Sequence, residues 1–100
     1  MKQYLDEQQT AKLIELGFEK PKGGHCIRRG NEIVIDINYS IGELIEMLPK
    51  IYDSEGLSIG WHYMADVWIV RYPKQILIHK EELIDALYYM LVELKEEGVI

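Results

Sequence analysis

The sequence predicts an α+β domain: an antiparallel sheet of two β-hairpins with three helices packed on one face, in the order α-β-β-α-β-β-(β)-α. Three observations carry that prediction. Two segments open on a capping box and close on a helix breaker, two pairs of strand-like runs flank short turn sequences, and the C-terminal segment repeats leucine at helical spacing.

The first helix spans about residues 6–16. Asp6 and Gln9 stand three apart, so each side chain can accept from a backbone amide at the helix start that lacks an intrahelical partner. Ala11, Leu13, Ile14 and Leu16 supply its apolar positions. Gly17 stands where a left-handed residue ends a helix, which lets Phe18 fold back onto Leu13. Ser40 and Glu43 repeat the capping box for the second helix, with Tyr39 and Leu44 placed as a hydrophobic staple and Pro49 limiting its length. The third helix carries Leu83, Leu87, Leu91 and Leu94 on one stripe, broadened by Ile84 and Tyr88, and Gly98 closes it.

Between the first two helices, residues 25–29 and 32–37 flank Gly30-Asn31, a two-residue hairpin turn with glycine first. That turn pairs Arg29 with Glu32, Ile27 with Val34 and His25 with Asp36, and it sends Arg28, Cys26, Ile33, Ile35 and Ile37 to the opposite, core side. A second hairpin joins residues 57–63 to 67–72. With a loop of two or four residues, Tyr63 faces Trp68, Trp61 faces Val70 and Ile59 faces Tyr72, all on the side of Leu57; a three-residue loop would mix the faces. The first arrangement leaves Ser58, Gly60, His62, Met64, Val67, Ile69 and Arg71 on the other side. Ile76-Leu77-Ile78 is either a short further strand or a buried connection into the last helix.

At 100 residues, 48% hydrophobic and 28% charged, the chain reads as a single domain over 1–100 with enough mass for a core. Its one cysteine, Cys26, excludes an internal disulfide framework and fits a reducing compartment. Eleven Lys and Arg against seventeen Asp and Glu give a net charge of −6, which argues against double-stranded nucleic acid as a partner. No apolar run reaches the length of a signal-peptide core or a membrane span, so the expected location is the cytoplasm, with no membrane partner.

Candidate chemistry is sparse. His25, Cys26, His62 and His79 are the conventional metal ligands, but adjacent strand residues point to opposite sides and no paired ligand spacing occurs. A Cys26, His62, Asp36 triad fails because the register sends Cys26 inward and His62 outward. Gly23-Gly24 lacks phosphate-loop spacing, and Glu81, Glu82 and Asp85 suit the start of a helix. Neither a catalytic set nor a cofactor is expected. An aromatic pocket around Trp61, Trp68 and Tyr72 would suit a small ligand or a single-stranded nucleic acid; core packing of those rings is the competing account.

What the pattern leaves is the outer side of the sheet, where Ile27, Val34, Met64, Val67 and Ile69 lie among Arg29, Glu32, His25, Asp36, His62 and Arg71, an apolar centre with a polar surround. Such a face suits a homodimer or another protein partner.

The segment Tyr39-Ser40-Ile41-Gly42-Glu43-Leu44-Ile45-Glu46-Met47-Leu48-Pro49, with Glu82-Leu83-Ile84-Asp85-Ala86-Leu87 and Leu94-Lys95-Glu96-Glu97-Gly98-Val99-Ile100, resembles a group of small uncharacterised proteins of gut Bacteroides-type bacteria and their phages or mobile elements. That resemblance implies an accessory protein. It brings no reaction, cofactor or functional residue set with it.

Overall fold

A computed structural model describes residues 2–22, 25–30, 32–36, 38–73 and 75–100, without the side chains of 25–29 and 32–36. The element order is α1 (Glu7–Glu15), β1 (His25–Arg29), β2 (Glu32–Asp36), α2 (Ile41–Met47), β3 (Ile51–Tyr52), β4 (Glu55–Gly56), β5 (Ser58–His62), β6 (Val67–Tyr72), β7 (Ile76–Lys80) and α3 (Leu83–Glu96). This is the expected α+β class with its three helices.

Both predicted capping boxes form. Asp6 accepts from the Gln9 amide at 2.8 Å while Gln9 accepts from the Asp6 amide at 3.2 Å. Ser40 and Glu43 reciprocate in the same way. Gly17, at φ +101°, ends α1 in the left-handed region, and the Phe18 amide returns to the Leu13 carbonyl at 3.1 Å. The N-terminal segment is tied down too: Tyr4 bridges Ser40, and the Leu5 amide donates to the Tyr39 carbonyl at 3.0 Å, which buries Leu5.

The strands fall into three antiparallel groups, β1-β2, β3-β4 and β5-β6-β7. Among the described residues the two hairpins read from the sequence form separate sheets, which corrects the expectation of one sheet. Within β1-β2 the register is as predicted, with His25 opposite Asp36, Ile27 opposite Val34 and Arg29 opposite Glu32. The tiny β3-β4 hairpin turns on Asp53 and Ser54, both with positive φ, as a two-residue type I′ turn requires. Of the two alternatives for Ile76-Leu77-Ile78, the strand is realised.

In the second hairpin Trp61 faces Trp68 and Ile59 faces Val70, two residues out of the predicted register. His62 and Val67 close a four-residue turn, whose Asp66 adopts positive φ and in which the Ala65 amide donates to His62 Nδ1 at 3.1 Å. Tyr63 is thereby a turn residue and not a strand partner of Trp68. Since the slip is even, the side chains of β5 and β6 stay on their predicted faces, while Tyr63 and Met64 leave them for the turn.

Helix α3 lies under β6 and β7 and against α2. Leu83, Ile84, Ala86, Leu87, Tyr88, Met90, Leu91 and Leu94 are buried, an arc of about 200° at 100° per residue. A helix covered on one side would bury roughly half as much of its circumference. Val70 and Tyr72 complete the core from β6, and Leu13, Tyr39, Leu44 and Leu48 from the other helices and their flanks.

Tyr72 donates its hydroxyl to the Pro49 carbonyl, linking the sheet to the end of α2. Burial pushes its pKa up from 10.0 to about 12 and also raises those of Tyr39 and Tyr88. In the unfolded chain a tyrosine ionises near pH 10, so the native state binds this proton more tightly. Its contribution is complete below pH 10 and declines as pH rises towards 12. Tyr72→Phe should cost about 1 kcal/mol at neutral pH by leaving the Pro49 carbonyl unpaired. Urea midpoints measured from pH 9 to 12 should fall less steeply for this variant than for the parent chain.

Candidate functional site

With α3 on one side, the other side of the three-stranded sheet is uncovered by any described element. The registers place three rows across it: Ser58, Arg71 and Leu77; Gly60, Ile69 and His79; and His62 beside Val67. Val67 and Ile69 are half-buried by their strand neighbours, while His62, Arg71 and His79 are exposed. Leu77 is 49% exposed. Gly60 leaves a shallow furrow of about 210 Å³ bordered by Ser58, His62, Ile69 and Arg71. A Cβ built on Gly60 would meet nothing within 4 Å.

Of the residues expected on this face, Val67, Ile69 and Arg71 occupy alternate positions of β6 and so share this side. Met64 is not on it, because it lies in the four-residue turn, 78% exposed at the hairpin tip. Ile27 and Val34 stand opposite each other in β1-β2, which among the described residues is a sheet separate from β5-β6-β7, and their side chains lie outside the described residues. Leu77, Gly60 and His79 were missing from the expected centre. The signal for Leu77 and His79 was alternation in residues 76–80, readable only once that segment is a third strand.

The aromatic side resolves into two environments. Tyr72 is fully buried and its hydroxyl is engaged, so it cannot stack a base or ligand as the expected three-ring pocket requires. Trp61 and Trp68 meet edge to face with centroids 5.4 Å apart at the hairpin end. Trp68 is partly buried, and Trp61 is 46% exposed. That exposure arises because α3 lies chiefly beneath β6 and β7, leaving β5 beyond its cover.

Other polar clusters are structurally accounted for. Glu82 accepts from the Lys2 amide at 3.0 Å, and Asp85 takes Lys2 Nζ at 3.1 Å and Gln9 Nε2 at 3.0 Å. The acidic start of α3 thus holds the N-terminal segment and α1. A cleft of about 600 Å³ between residues 19–22 and α2 is lined by Glu19, Lys20, Lys22, Tyr39, Glu43 and Met47, among others. Two hydrogen bonds tie its walls: Lys22 donates its amide to Glu43 Oε2 at 3.0 Å, and Tyr39 donates to the Glu19 carbonyl. Among the described residues no group of three His, Cys, Asp or Glu is arranged to hold a metal ion. No described helix is long and apolar enough to cross a membrane.

No family model, curated protein or solved structure matches the chain. The site's character therefore rests on its own geometry: an apolar strip with three basic or imidazole side chains around it. Acrylamide quenching should find two unequal indoles. Trp61→Phe should remove the readily quenched component, whereas Trp68→Phe should leave it.

Proposed function

We propose that the chain is a non-enzymatic accessory domain that acts by protein-protein contact through the open face of its β5-β6-β7 sheet. The observation that carries this reading is one-sided covering: helices bury Val70 and Tyr72 beneath the sheet, while Val67, Ile69 and Leu77 stand on the opposite side with no described element above them. An apolar centre framed by polar groups is the usual anatomy of a protein interface. Homodimerisation by apposing two such faces, the other form of this reading, would lay Arg71 and the histidines of one copy near those of the next. The strand positions of the face carry Arg71, His62 and His79 and no carboxylate, in a chain of net charge −6. That contrast favours a protein partner with an acidic rim over self-apposition. A phage or host protein in the cytoplasm fits the accessory role that the sequence resemblance implies.

Lysines at Ile69 and Leu77 test the surface. Both side chains project away from the core, so Ile69→Lys with Leu77→Lys should shift the urea midpoint little, by an amount equivalent to about 1 kcal/mol or less. Partner capture from the source cell, compared quantitatively with the parent chain, should fall at least tenfold. Equal capture by parent and variant would reject this face.

A further inference from the structure

We infer that β5 is a strand-pairing edge, and that two copies of this chain join along it, β5 antiparallel to β5, into a continuous six-stranded sheet. Three observations lead there. First, β5 ends the three-stranded sheet, and no described strand pairs with the outer side of Ser58–His62, although just before it the Leu57 amide is taken by the Lys50 carbonyl at 2.9 Å. An edge presents a row of unsatisfied amides and carbonyls, and proteins that stay monomeric blunt such edges with charge, proline or a bulge. Ser58-Ile59-Gly60-Trp61-His62 contains no Lys, Arg, Asp, Glu or Pro, and its five pairs with β6 run without interruption.

Second, the strand is self-complementary about Gly60. A two-fold axis there sets Gly60 against its own copy, Ile59 against Trp61 and Ser58 against His62. The apolar pair falls on the helix side and the polar pair on the open side. The opposite edge does not share this property: the same operation about Ile78 in β7 would place Lys80 against Ile76.

Third, Trp61 is 46% exposed on the helix side, where α3 covers β6 and β7 in preference to β5. Pairing would bring Ile59 of the second copy over that ring and bury both indoles between the two α3 helices. The occupant is thus a second copy. No charged side chain lies on the shared edge, whereas apposing the open faces would set Arg71 near its own copy and contact through the helices would meet the excess of carboxylates.

A two-fold axis normal to the sheet leaves both open faces on the same side. The inference therefore extends the proposed docking surface, doubling an area that three short strands make small. The edge pairing itself does not depend on that surface having a partner.

Cysteine cross-linking in a Cys26→Ser background tests the register. Added Gly60→Cys should give a disulfide-linked dimer under mild oxidation, because facing Cα atoms in an antiparallel pair lie about 4.5–5.5 Å apart, within disulfide range. Added Ser58→Cys should not, since its own copy would lie about 14 Å away along the strand. Sedimentation of the parent chain at roughly 10 µM to 1 mM, the range suited to an interface below about 1,200 Å², should show a monomer-dimer equilibrium that Trp61→Lys abolishes at unchanged circular dichroism. A monomer throughout, or Ser58→Cys linking as fast as Gly60→Cys, would overturn the edge pairing. Ile69→Lys with Leu77→Lys should leave Gly60→Cys cross-linking intact; partner capture lost with cross-linking retained separates the two surfaces. Cross-linking lost in that variant would overturn the edge assignment.

Discussion

The constraint on which the structure depends is the two-sided burial of α3. Its buried positions cover more than half of the helix circumference, so it needs a sheet on one flank and other helices on the other. Neither partner is independently stable. A three-stranded sheet of five- and six-residue strands requires a cover for its apolar face, and α1 and α2, at nine and seven residues, are too short to persist alone in water. Each is stabilised through α3. The links that fix the assembly radiate from the same place, with Lys2 and Gln9 converging on Asp85, and the Tyr72 hydroxyl spanning from β6 to the end of α2.

A single helix has limited width, and this sets where the molecule is left open. At about 10 Å across with its side chains, α3 can cover two strands spaced about 4.8 Å apart but not a third. It lies under β6 and β7, and so β5 projects with Trp61 half in water. The same layering leaves the far side of the sheet bare. The core and the open face consequently draw on different atoms: Val70 and Tyr72 on β6 hold the fold, while Val67, Ile69 and Arg71 on the same strand face away from it. Alternation at a period of two lets one strand serve both ends without compromise.

Helix ends and side-chain faces were legible in the sequence because each is decided within a few residues. Asp6 with Gln9, Ser40 with Glu43, and Gly17 before Phe18 state their chemistry locally. The faces of β5 and β6 were equally readable because only the parity of the register matters, and a slip of two preserves it. The register itself was not readable. It depends on whether Tyr63 extends the strand or enters the turn, and the positive φ of Asp66 with the His62-to-Ala65 contact decided that. The joining of the two hairpins was overestimated because edge complementarity between distant strands leaves no periodic trace. The β3-β4 hairpin was passed over since two-residue strands show no alternation. Leu77 and His79 were lost with the undecided status of β7.

The charge pattern gives the open face a property that its apolar centre alone would not. In a chain carrying six more carboxylates than basic groups, the strand positions of β5, β6 and β7 on that side hold one arginine and two histidines and no acid. A like-charged copy approaching at random is repelled by most of the surface. An approaching partner with an acidic rim would be oriented towards this side before contact, since fields of this kind act over about a Debye length of 8–10 Å. On the proposed function, the apolar strip would supply contact and the Arg71 charge would bias the orientation of approach. If the open face is the docking surface, the acidic charges on the exposed flanks of α1 and α3 would contribute to that bias from a distance, as Ile69 would by contact.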